Sequence, residues 1–81
     1  MSRYLAPHWE AYQEEVIPVD APEIQITESR RAFYAGAHAL LTAMRAAMDP
    51  GEELTDNDKQ IVREIDEEIE AFVRAVMDGE A

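Results

Sequence analysis

The 81-residue chain contains no cysteine, so no disulfide can staple it and any metal site would lack its softest ligand. A cysteine-free chain suits a reducing compartment without requiring one. Histidine is nearly as scarce, at His8 and His38. The HExxH, GxSxG, phosphate-loop and dinucleotide signatures are all missing, so nothing pairs a nucleophile with an oriented base. The three glycines and four prolines gather mainly at the joints between periodic segments, and neither a repeat nor a low-complexity tract is present. Basic residues are few: seven Lys and Arg stand against eighteen Asp and Glu, a net charge of -11. Affinity for nucleic-acid phosphate or an anionic bilayer rests on Lys and Arg, so direct binding to either is not expected.

Long apolar runs are also wanting. The stretch Ala32 to Met48 is interrupted by His38, Thr42 and Arg45 and falls short of the ~20 residues of a membrane span. The opening "MSRYLAPHWEAY" places Pro7, His8 and Glu10 where a secretory signal would run apolar, so a protein retained in the cytoplasm is expected.

Size sets the next bound. A chain this short buries only roughly 60% of the surface its unfolded form exposes. One domain is the limit, and such a core needs reinforcement by metal, disulfide, oligomerisation or very regular helix packing. Charge is uneven along it: residues 21–50 are neutral, whereas residues 51–81 set Lys59, Arg63 and Arg74 against eleven carboxylates, a net -8. The acidic pole makes basic protein surfaces the natural partners.

Two long helices are expected, at about 21–49 and 56–77. The first opens near "DAPE", with Asp20 as N-cap, Pro22 in the first turn and Glu23 three residues after the cap; Thr27 offers a second start, so the boundary lies between residues 21 and 28. Asp49-Pro50-Gly51 ends it. "TDND" opens the second, with Thr55 as N-cap and Asp56 and Asp58 in the first turn, and Gly79 closes it. The short connection predicts an antiparallel helical hairpin spanning residues 21–81. Residues 1–20 form an N-terminal arm, with a short helix at 7–15 lining up Leu5, Trp9, Tyr12 and Val16 at helical spacing.

Residues 31–48, wound at 100° per residue, separate into three sectors. Arg31, Ala35, His38, Thr42 and Arg45 form a narrow polar stripe; Phe33, Tyr34, Ala37, Leu40, Leu41, Met44 and Met48 form a broad face of large residues; Ala32, Gly36, Ala39, Ala43 and Ala46 form a stripe of small ones. The second helix offers a single apolar face, Ile61, Val62, Ile65, Ile69, Phe72, Val73 and Val76, sufficient to cover one sector. Phe33, Leu40, Met44, Ile65, Ile69 and Phe72 are therefore the expected core. Either the N-terminal arm folds back over the small stripe or a second copy docks there; the second is favoured, which makes the stripe an oligomer interface, and the fold class predicted is all-α, an antiparallel helical hairpin with a short N-terminal helix or arm, dimerising into a helical bundle. A helix-interior glycine costs ~1 kcal/mol relative to alanine, which favours a packing reason for Gly36.

Chemistry beyond packing is thin. His38 lies on the polar stripe and His8 beside Trp9, and neither pattern marks catalysis. Glu64, Asp66, Glu67, Glu68 and Glu70 lack the alternating ligands and central glycine of a calcium loop, so no metal or other cofactor is expected. A solvated helix face explains these carboxylates; mimicry of nucleic-acid phosphate is the sharper alternative, with Glu64, Glu67, Glu68 and Glu70 as contacts to a basic partner. Trp9 and Tyr12 either plug a groove of the bundle or anchor a foreign protein.

"RRAFYAGAHALL", Arg30 to Leu41, followed by "DPGEELTDND", Asp49 to Asp58, resembles small acidic helical proteins encoded by tailed bacteriophages and prophages, in which an alanine-rich helix precedes a proline-glycine turn and an acidic helix. The likeness covers residues 9–75 and carries no catalytic residues. It implies an accessory protein made in the bacterial host cytoplasm. A non-enzymatic interaction or assembly module is expected, with a nucleic-acid mimic that inhibits a host defence or DNA-handling protein as the alternative.

Overall fold

The computed structural model describes residues 3–81, and among these the regular structure is entirely helical: α1 (Ala6–Val16), α2 (Glu23–Ala47) and α3 (Asp56–Met77). Two compact units, Met1–Leu40 and Leu41–Ala81, divide the chain within α2. The reason lies in the first unit, where α1 is fastened to the opening turns of α2 by aromatic side chains.

In α1, Pro7 occupies the first turn, where its missing N–H would have no helical partner in any case. Arg3 pairs with Glu10 at 2.7 Å on the exposed side. The helix stops at Ile17, whose extended backbone donates its N–H to Gln13 at 3.3 Å before Pro18. A turn follows, with the Ala21 N–H donating to the Pro18 carbonyl at 3.0 Å.

That turn corrects the expected N-cap of α2. Asp20 is part of the turn, and the Pro22 carbonyl is the first to accept helical bonds, from Gln25 at 2.9 Å and Ile26 at 3.2 Å. Pro22 thus stands at the cap position itself and Asp20 lies two residues too early to serve there. Glu23 still places a carboxylate in the first turn, where the helix end is positive.

The second unit is organised by its turn. Thr55 caps α3: its hydroxyl accepts from the Asp58 N–H at 3.0 Å, and the Asp58 carboxylate accepts from the Thr55 N–H at 3.1 Å, closing a reciprocal capping box. At the other end, Gly79 adopts φ 75°, Glu80 donates to the Ala75 carbonyl at 2.8 Å and Gly79 to Val76 at 3.1 Å. These two bonds make a Schellman stop, and the left-handed residue is the glycine that tolerates it. Thr55→Ala is expected to lower stability by about 1 kcal/mol, measured by urea denaturation followed by circular dichroism.

Side-chain burial corrects the expected core. Among the described residues the buried apolar side chains are Trp9 and Ile17. Phe33, Met44 and Ile65 are half-buried, whereas Leu40, Ile69 and Phe72 are exposed. The expectation paired α3 with large residues along its whole length. On α3 itself Ile61 and Ile65 are half-buried, whereas Val62, Ile69, Phe72, Val73 and Val76 are exposed.

Candidate protein-interaction surface

Trp9 is the centre of the first unit. Its ring lies 5.7 Å from Phe33 at an interplanar angle of 58° and 6.0 Å from Tyr12, and Phe33 meets Tyr34 edge-on at 5.4 Å. The Arg30 guanidinium sits 5.9 Å from the Tyr34 ring centre, within cation–π range. With 5% of its surface exposed, Trp9 has no face to offer a foreign protein while α1 stays docked. Tyr12 is different: it touches the cluster and remains exposed.

The small-residue stripe lies open. Ala32, Gly36, Ala39, Ala43 and Ala46 are all exposed, and a Cβ built on Gly36 meets no atom within 4 Å. Among the described residues no neighbour therefore requires glycine at this position. His38 is likewise exposed, and so is His8.

On α3 the carboxylates Glu64, Glu67, Glu68 and Glu70 are exposed, and none belongs to an ion pair; the pairs among the described residues are Arg3–Glu10 and Arg31–Glu28. Glu64 accepts a bond from Gln60 at 3.1 Å, and Arg63 donates to that same glutamine at 2.9 Å instead of to a carboxylate. The apolar face beside them is open over its C-terminal half: Ile69, Phe72, Val73, Val76 and Met77 are exposed, Phe72 by 63%. A shallow depression there is lined by Glu68, Ile69, Ala71, Phe72 and Val73.

One polar cluster gathers where α2 ends and α3 begins. Asp58 is buried at 2% exposure, and its carboxylate accepts from the Asp49 N–H at 2.7 Å as well as from Thr55. The Asp49 carboxylate in turn accepts from the Thr55 hydroxyl at 2.7 Å and from Asn57 at 3.2 Å. The Asp49 amide, then that of Thr55, holds the Asp58 carboxyl below its ordinary value; burial pushes the other way and loses. Every acceptor is used to tie the end of α2 to the start of α3, so the cluster is a clasp. The capping-box half of it is legible in "TDND"; the bond back to Asp49 spans nine residues and has no local sequence signal.

Among the described residues no group of three or more His, Asp or Glu side chains is arranged to hold a metal ion, and no helix is long and apolar enough to cross a membrane. Compared with protein-family models, curated proteins and solved structures, the chain gives no match.

Proposed function

We infer that the protein is a small acidic helical module for protein–protein interaction or assembly, working without chemistry of its own. The observation that carries this reading is the mismatch between its apolar helical faces and what it buries: among the described residues two apolar side chains, Trp9 and Ile17, are inside, while large residues of α3 and the small stripe of α2 stay in water. Exposed contiguous apolar surface of this kind marks a contact surface. We place α2 and α3 in an antiparallel hairpin closed by the Asp49–Asp58 clasp, and two copies meet along Ala32, Gly36, Ala39, Ala43 and Ala46, where bare backbone permits close approach. The likeness of Arg30–Leu41 and Asp49–Asp58 to phage-encoded proteins supports an accessory role in an infected bacterial cytoplasm.

The test is Gly36→Leu. Open space around Gly36 lets a leucine fit the lone chain, and leucine raises helix propensity. The variant should therefore keep or gain helicity while its light-scattering mass falls from a dimer's to the 9.2 kDa of one chain. A mass unchanged by the substitution would remove the stripe from the interface.

A second reading draws on the unpaired carboxylates of α3: their spacing imitates phosphate and occupies a nucleic-acid groove on a host protein. Partner binding would then weaken steeply between low and high salt, whereas binding through apolar patches would not.

A further inference from the structure

The exposed strip Ile69, Phe72, Val73 and Val76 has margins of one sign. On the α3 wheel at 100° per residue, with Val76 at the strip's centre, Asp66 and Glu68 fall about 80° to either side and Glu64 and Glu70 about 120° to either side. Arg63 and Arg74 fall about 140 to 160° away, on the back of the helix. Lys59 is nearer on the wheel but lies ten residues before Ile69, about 15 Å along the axis. The strip is thus apolar at its centre and acidic along both edges, and among the described residues none of these edge carboxylates is engaged in an ion pair.

Such a pattern discriminates between occupants. A second copy laid strip to strip would oppose carboxylate edges on both sides, and like charges across an interface are strongly unfavourable. A helix with the converse pattern, leucine-like residues along one stripe and Lys or Arg on both flanks, satisfies apolar centre and acidic edges together. Resting on the reading of the protein as an interaction module, we propose that the C-terminal half of α3 is the docking site for a basic amphipathic helix of another protein, with Phe72 as the central anchor and Asp66, Glu68 and Glu70 as the flanking contacts. The partner's positive charge brings the two together, and the apolar strip fixes register and holds the complex. Occupation also explains the net -8 of residues 51–81 without requiring phosphate-like geometry.

The probe is a synthetic 18-residue peptide of leucine and lysine at helical spacing, with a scrambled peptide of the same composition, titrated into the full chain by calorimetry. Phe72 is mostly exposed, so Phe72→Ser leaves net charge and fold intact, checked by circular dichroism. The expected result is binding of the helical peptide, at least tenfold weaker binding of the scrambled one, and at least tenfold weakening by Phe72→Ser. A combined Glu68→Gln and Glu70→Gln variant should weaken binding mainly at low salt. Equal affinity for both peptides, or indifference to Phe72→Ser, would reduce the interaction to bulk charge and overturn the proposal. So would a dimer that Phe72→Ser dissociates, because the strip would then hold a second copy. These outcomes are separable from the self-association reading, which stands or falls on Gly36→Leu.

Discussion

Trp9→Ala is expected to lower the thermal midpoint of the first unit more than any other single truncation. Replacing a buried tryptophan by alanine typically costs about 3 to 5 kcal/mol, and the whole stability of an 81-residue chain is of order 4 to 12 kcal/mol. Trp9 contacts both Tyr12 and Phe33, so its loss removes the centre of the cluster that holds α1 to α2. At roughly 4 to 8 °C per kcal/mol for a chain of this size, the midpoint should fall by more than about 12 °C in circular dichroism. Trp9→Phe keeps a ring against Phe33 and should lose much less. The native chain carries its own reporter, since Trp9 is its only tryptophan: emission should be blue-shifted and shielded from a soluble quencher when folded, and lose both properties on unfolding. A midpoint within a few degrees of the parent after Trp9→Ala would show that the aromatic cluster does not hold the unit together.

Asp58→Asn is expected to destabilise the second unit more than Thr55→Ala does, and only where the carboxylate is charged. Asparagine keeps one carbonyl acceptor but replaces the other oxygen with a donor, which then faces the N–H of Asp49 or Thr55. The pH dependence follows from the sign of the shift. The folded-state carboxyl titrates below its ordinary value of 3.8, held there first by the Asp49 amide. Its contribution is therefore fully present above that value and is lost as pH falls through the lower folded-state value. Acidification simultaneously relieves repulsion among the carboxylates remote from the clasp and so blurs the profile of either protein alone. Both proteins share that relief, so the difference between parent and variant isolates Asp58. Urea midpoints measured from pH 7 downward should differ by a constant amount to about pH 5 and converge in strong acid. A difference that persists unchanged at the acid end would mean that the clasp does not depend on the charge.

The helical content was legible because its signals are local. Thr55 with Asp58 three residues on, and Gly79 after Met77, fix both ends of α3 through caps that involve neighbours in the chain. The start of α2 was less so: "DAPE" satisfies the rule for a cap at Asp20, yet Pro18 draws Asp20 into a turn and Pro22 takes the cap position. The core was read poorly, and for one reason. Periodicity says which residues share a face, not which face meets which. The pattern assigns Phe33 to the hairpin, but α1 brings Trp9 to it, and Phe72, equally apolar by pattern, is left exposed. Ile17 was missed because a single apolar residue before a proline carries no period. The clasp from Asp58 to Asp49 was missed because its two partners lie in separate helix ends and meet only when the turn forms.

The acidic edges of α3 were visible in the sequence as composition; their place beside an open apolar strip was not. The proposed docking of a basic helix rests on that combination. It also distinguishes the two proposed contact surfaces, because the small stripe belongs to α2 and has no carboxylate along it, whereas the strip on α3 is bordered by them.

The most direct test of the module is the mass of the unmodified chain in solution across low to high micromolar concentration, by light scattering in moderate salt. Self-association along the Gly36 stripe predicts a mass that rises with concentration toward twice 9.2 kDa. A mass of 9.2 kDa at every concentration, with Trp9 shielded and the helices intact, would contradict the proposal that the apolar surface of α2 is built for a second copy.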